Sequence, residues 1–162
     1  ETGRTDGEYT NGRLGLVLKL PSGWYMDDCD RASVYITKAG FGLNMFHVSK
    51  NGPDSPLPLT GKSVFHGMLS VDAASVVLDE ERHSENLTGF KVVSSSPSEV
   101  AGRPGCRIEY TYRLNGIGYR NVTYGFVNGE YLYRIQYIAP ERFYFSESSV
   151  PFERVVASAK LR

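Results

Sequence analysis

The sequence predicts an α+β fold in which an antiparallel sheet carries helices on its faces, and three observations lead there. Three apolar runs are joined by Asn115-Gly116 and Asn128-Gly129; Asn-Gly between such runs is the strongest short-range hairpin signal, because a type I′ turn needs positive φ at both central residues. Leu14, Leu16, Leu18 and Leu20 recur at every second residue, the period of a strand with one buried face. Two other stretches repeat apolar residues every three or four positions, the period of a helix lying on a core. Strands thus come in groups between helices, which favours an antiparallel sheet.

The leucine strand stops at Pro21-Ser22-Gly23-Trp24, a turn composition. Ser33 to Thr37 and Phe41 to Val48 are β-rich and flank Lys38-Ala39-Gly40, which reads as a hairpin. The segment NGPDSPLPLTG that follows is proline-rich and reads as a loop. Ser63 is placed to cap a helix reaching to about Glu80, with Phe65, Met68, Leu69, Ala73 and Val76 on one face. Phe90 to Ser95 is a further strand, and Ala101-Gly102-Arg103-Pro104-Gly105 a turn. The meander Cys106 to Leu114, Gly118 to Val127 and Glu130 to Ile138 comes next. Ser149 then precedes a closing helix with Pro151 in its first turn and Phe152, Val155, Val156 and Ala159 as its stripe.

The first twelve residues, ETGRTDGEYTNG, are polar and lack apolar periodicity, so residues 1–12 are expected to be a flexible N-terminal tether and residues 13–162 a single domain. Glu1-Thr2-Gly3 reads equally as a remnant of secretory expression, with a signal peptide already removed. A chain of 162 residues buries enough surface to fold without metal or disulfides. Its 18 basic and 18 acidic residues cancel, which removes the long-range field that draws a protein to nucleic acid or an anionic membrane. No apolar run approaches the roughly 20 residues of a helical span.

Candidate chemistry is sparse. Gly61-Lys62-Ser63 looks like the end of a phosphate-binding loop, but Pro56 stands where the first glycine belongs and has no N–H to offer. No G-x-S-x-G occurs, and His47, His66 and His83 have no spacing that links them to a nucleophile or a metal; His47 shares a strand face with Leu43 and Met45. Asp27, Asp28 and Asp30 form a solvated turn lacking the glycine and distal glutamate of a calcium loop. Catalytic, cofactor-binding and metal residues are therefore none. Cys29 and Cys106 are either two free thiols or one long-range bridge in an oxidising compartment.

Seven of the eleven tyrosines lie in the meander, and Tyr112, Tyr119 and Tyr133 are candidate partner-binding aromatics. The commoner use of such residues is packing between sheet and helices. Asn86-Leu87-Thr88 and Asn121-Val122-Thr123 are sequons; Asn121 and Thr123 alternate away from Val122, Tyr124 and Phe126, which assigns them to a solvent face.

The order of several short motifs resembles the Mog1/PsbP-like superfamily. They are Leu20-Pro21-Ser22-Gly23-Trp24, Ala101 to Gly105 leading into Arg107-Ile108-Glu109-Tyr110, the hairpin Gly125 to Gly129, Tyr133 to Pro140, and the closing Phe152 to Ser158. The resemblance implies an αβα sandwich, with the antiparallel sheet between helices. It implies non-enzymatic roles: photosystem lumenal subunits, a nuclear Ran-binding protein, bacterial envelope lipoproteins and adaptor chaperones of type VI secretion. The chain is most similar to the bacterial envelope members and is shorter than the plant photosystem type between the first hairpin and the last strands. The expectation is an extracytoplasmic binding or scaffold protein of the periplasm or cell envelope. A protein partner, no nucleic acid, no cofactor and membrane attachment only through an N-terminal lipid tether go with it. The alternative is a cytosolic adaptor chaperone shielding apolar segments of a secreted client.

Overall fold

The computed structural model describes residues 2–28, 33–84 and 86–162. Its strands are β1 (Thr2–Arg4), β2 (Gly7–Asn11), β3 (Leu16–Leu20), β4 (Tyr25–Asp27), β5 (Ser33–Thr37), β6 (Met45–Asn51), β7 (Leu87–Val100), β8 (Arg103–Leu114), β9 (Ile117–Asn128), β10 (Tyr131–Pro140) and β11 (Lys160–Leu161). Helix α1 (Ser70–Arg82) lies between β6 and β7, and α2 (Tyr144–Ser158) between β10 and β11. Eight strands form one antiparallel sheet in the order β1-β4-β5-β6-β10-β9-β8-β7, and β11-β3-β2 form a second, small one.

Alternation along the central strands sends side chains to two opposite cores. On one face Val122, Tyr124, Phe126, Tyr133, Ile135 and Tyr137 pack with Phe152, Val155 and Val156 of α2, with Leu14, and with Leu16, Leu18 and Leu20 of the small sheet. On the other face Cys106, Ile108, Tyr110 and Leu132 pack with Ala74 and Val77 of α1. The helices therefore lie on opposite faces, as expected, and α2 shares its face with the β11-β3-β2 sheet. Among the described residues no helix is long and apolar enough to cross a membrane.

The expectation of a tether over residues 1–12 is corrected: β1 pairs with β4 and β2 with β3. Polar bonding orders this segment. The buried Thr5 hydroxyl donates to the carbonyls of Pro21 and Trp24, and the Asn11 side-chain carbonyl accepts the N–H of Arg13 and Leu14, both at 2.9 Å. A reading based on apolar content does not register such bonds.

Helix α1 begins at Ser70, so Ser63 is not its cap. Gly67 has φ +80° and Leu69 is extended, which breaks any earlier turn, and Phe65 and Leu69 stand exposed. Helix α2 begins at Tyr144, so Pro151 lies inside it. Its first turn is held by the Tyr137 hydroxyl, which donates to the Tyr144 and Phe145 carbonyls at 2.9 and 2.8 Å. The hairpin after β8 has positive φ at both Asn115 and Gly116, as a type I′ turn requires, whereas the next loop is Gly129-Glu130 with positive φ at Gly129 alone, the type II′ pattern. Strand β7 runs fourteen residues at the sheet edge, where Pro97 is tolerated because an edge has ladder positions that need no donor.

Candidate functional site

Helix α1 covers only part of its face of the sheet. Beside its C-terminal end the strands β5, β6 and β10 present Ser33, Tyr35, His47, Ser49, Arg134 and Gln136, which share that face by register: Ser33, Ser49 and Arg134 lie in one row, Tyr35, His47 and Gln136 in the next. Polar side chains in the middle of an eight-stranded sheet need partners, and of two consecutive glutamates of α1 one serves the neighbouring loop and the other the sheet. The Glu80 carboxylate is buried and accepts the backbone N–H of Leu59 at 2.5 Å and Thr60 at 3.2 Å, which fastens the loop after β6 to the helix. Glu81, about 100° further round the helix, faces the sheet and accepts from Arg134 at 3.1 Å and Gln136 at 2.7 Å. Gln136 also donates to Thr123, whose hydroxyl donates to Asn121. A continuous polar line thus runs from Asn51 through Arg134 and Glu81 to Asn121.

The rings of Tyr35 and His47 stack 4.3 Å apart and within 3° of parallel. With Ser33, Ser49, Asn51, Arg134, Pro56 and Pro58 they line a cavity of ≈ 250 Å³. On the other side of the α1 terminus an aromatic ladder runs Phe90, Tyr110, Tyr112, Tyr119, with successive centroids 4.9, 6.1 and 5.6 Å apart, and the Arg82 guanidinium covers its Phe90 end at 5.4 Å. Burial pushes the Tyr112 hydroxyl up to about 12, with the Glu81 charge adding to the effect.

Of the candidate aromatics, Tyr112 and Tyr119 stand together, half-buried, on this face. Tyr133 is corrected. It points to the α2 face, is buried, and stacks on Phe126 at 4.9 Å, because residue 133 is one step out of phase with the Leu132-Arg134-Gln136 face. Asn121 and Thr123 are likewise buried rather than on a solvent face, since β9 is central and both its faces are covered. The Asn86 sequon is exposed.

Cys106 is a buried free thiol, and burial pushes its pKa up; Cys29 lies outside the described residues, as does Asp30. Asp28 accepts from the Tyr9 hydroxyl at 2.6 Å and pairs with Arg13, so it serves the packing of the small sheet. Among the described residues no three His, Cys, Asp or Glu side chains converge as a metal site. Lys62, of the loop resembling a phosphate-binding motif, pairs with Asp79 of α1 at 2.5 Å.

Sequence reasoning missed Glu81, Arg134 and Gln136. The available signal was Arg134 and Gln136 alternating with Tyr133, Ile135 and Tyr137 in a strand of a sheet expected to carry helices on both faces, where the polar side of a central strand meets protein and needs partners there.

No protein-family model and no curated protein matches the sequence. Solved structures do match in shape. The cyanobacterial PsbP (CyanoP) of Synechocystis superposes with a TM-score of 0.63 at 14% identity, covering 99% of this chain and 92% of that one. LpqN of Mycobacterium tuberculosis, described as involved in cell envelope biogenesis, gives 0.62 at 14% identity, covering 99% and 91%. A protein of Bacteroides thetaiotaomicron gives 0.59 at 14% identity; the match covers 96% of this chain, which spans about half, 48%, of that longer one. With its antiparallel sheet between two helices and these neighbours, the chain has the Mog1/PsbP-like fold.

Proposed function

We propose that this protein is a non-enzymatic binding module of a bacterial cell envelope that holds a protein partner on the open end of its sheet. The observation that carries the reading is the Tyr112–Tyr119 stack, 5.6 Å between centroids, half-buried on the stretch of sheet that α1 leaves uncovered. Paired tyrosines offer large apolar area at low entropic cost with a hydroxyl for orientation, the composition typical of protein interfaces. The structural likeness to an envelope-biogenesis protein supports the compartment.

The test replaces Tyr119 with a photo-crosslinking phenylalanine and irradiates the protein in fractionated bacteria. A single envelope adduct that disappears when Tyr112→Ala is added supports the reading. Adducts insensitive to Tyr112→Ala overturn the site, and adducts with cytosolic proteins alone overturn the compartment. The latter outcome would favour the adaptor-chaperone reading, for which Phe65, Leu69 and Val71, 59, 66 and 67% exposed at the entry to α1, are the supporting feature.

A further inference from the structure

We propose that one end of the large sheet docks on an anionic phospholipid bilayer, with a headgroup phosphate held by Arg113 and Arg142 and the neighbouring apolar tips in the acyl layer. The inference goes beyond the partner-binding reading and does not rest on it.

Register brings three turns to this end of the sheet. Ile36 pairs with Phe46, Met45 with Ile138, Pro140 with Tyr119 and Leu114 with Ile117, so the β5–β6, β8–β9 and β10–α2 turns open at the same end. Each offers apolar side chains to solvent: Phe41 and Leu43 are 42 and 38% exposed, Ile117 50% and Phe143 71%. Phe143 is held there against a backbone penalty. With φ 69° and ψ −56° it centres a γ-turn in which the Tyr144 N–H donates to the Arg142 carbonyl at 2.8 Å, a conformation that is rare and strained.

Charge and shape select the surface. Lys38, Arg113 and Arg142 stand exposed on or beside the same turns. The one carboxylate within residues 38–44, 113–118 and 140–143 is Glu141, which pairs with Arg120 at 3.6 Å. Among the described residues no carboxylate pairs with Lys38, Arg113 or Arg142. Arg113 and Arg142 line one cavity of ≈ 450 Å³ together with Ile117. Two guanidinium groups on a cavity of that size suit a phosphate, whose oxygens accept paired N–H bonds.

A protein interface is built on a contiguous desolvated core. Here the apolar side chains sit on separate turns, with Gly40 and Gly42 beside Phe41 and Gly116 and Gly118 beside Ile117. Separate apolar tips among cations fit a fluid bilayer, where the tips enter the acyl layer and Lys or Arg stays at the headgroups. The chain's zero net charge supplies no long-range pull, so the attraction acts at short range.

The experiment sediments the purified chain with vesicles of equal parts phosphatidylglycerol and phosphatidylcholine and with vesicles of phosphatidylcholine alone. A Phe143→Trp variant, read against the Trp24 background, reports depth through quenching by lipids brominated in the acyl chain. Binding to the anionic vesicles is expected to be at least about tenfold tighter than to phosphatidylcholine, and at least about tenfold weaker both in Arg113→Gln with Arg142→Gln and in Phe143→Gly. The introduced indole is expected to be quenched. These variants change exposed side chains, and glycine suits the positive φ at 143, so thermal midpoints no lower than the parent's confirm folding. Equal binding to both vesicles, unchanged binding in either variant, or an unquenched indole overturns the proposal. Retention of inorganic phosphate without vesicle binding overturns it in favour of a free anion, and sedimentation only with vesicles that carry envelope proteins overturns it in favour of a protein surface. None of these outcomes decides crosslinking at Tyr119, which reads the α1 face of the sheet.

Discussion

Arg134 on β10 and Glu81 on α1 form an ion pair, Nη1 to Oε1 3.1 Å, with both side chains largely withdrawn from water, 8% and 16% exposed. This pair fastens the C-terminal end of the helix to the middle of the sheet. Removing one member of such a pair leaves a desolvated charge, whereas replacing both by apolar groups of similar volume restores packing. Glu81→Ala is therefore expected to lower stability by about 3 kcal/mol, and the double variant Glu81→Leu with Arg134→Met to stay within about 1 kcal/mol of the parent. Urea midpoints at constant m-value measure both. Additive losses in the double variant would show that the pair does not act as a unit.

Two glycines separate rigid from yielding surroundings. A Cβ on Gly105 would run into the Gly125 carbonyl oxygen, with the Ser98 carbonyl 3.1 Å away, both of them backbone atoms of neighbouring strands. A Cβ on Gly52 would meet the Tyr131 ring at 2.5 Å, yet that ring is 42% exposed and free to swing. Gly105→Ala is expected to cost about 3 kcal/mol and Gly52→Ala less than about 1 kcal/mol, read as shifts in thermal midpoint. Equal shifts would contradict the idea that the difference lies in what has to move.

How much of this was legible in the sequence follows from which forces each segment relies on. The β8-β9-β10 meander could be read because Asn115-Gly116 and the alternation of Ile108, Tyr110 and Val122, Tyr124, Phe126 are local signals. Strands β1 and β2 could not, since Thr5 and Asn11 are ordered by bonds to Pro21, Trp24, Arg13 and Leu14 rather than by apolar periodicity. The polar stretch of the sheet was hidden for a related reason. Arg134 and Gln136 occupy the phase normally assigned to solvent, and only the arrival of Glu81 from α1, more than fifty positions away in sequence, makes that phase an interior. Tyr112 and Tyr119 were identifiable as aromatics but not as a stack, which depends on their being register partners across the hairpin.

Cys106 lies against Gly125 beneath α1, 2% exposed, and burial holds its thiol above the ordinary cysteine range. Thiolate is the reactive form, so both access and ionisation oppose modification. In a Cys29→Ser background, labelling by an aromatic disulfide at about pH 8 is expected to be at least ~100-fold slower in the native protein than in urea. Rapid native labelling would mean that α1 leaves the sheet readily.

The tyrosines make the fold sensitive to alkali, with a sign fixed by burial. Tyr9, Tyr112, Tyr124 and Tyr137 are each pushed up to about 12 from an ordinary value of 10.0, with burial the largest cause in every case. Hydrogen bonds to Asp28 and Glu153 reinforce it for Tyr9 and Tyr124, and the Glu81 charge does so for Tyr112. Above the ordinary value the unfolded chain releases phenolic protons that the folded chain still holds, so the native state binds more protons and loses stability as pH rises. The contribution is fully present below about pH 10 and is lost as pH climbs towards about 12. Urea midpoints are therefore expected to be flat up to about pH 9.5 and to fall steeply above it. Absorbance of tyrosinate should rise in two stages, the second coinciding with loss of secondary structure. Tyr112→Phe removes one of these protons and should flatten the decline by up to about 1.4 kcal/mol per pH unit. A decline unchanged in Tyr112→Phe would mean that this hydroxyl meets water in the folded protein, and the stacked pair at the open end of the sheet would then lack the burial assigned to it.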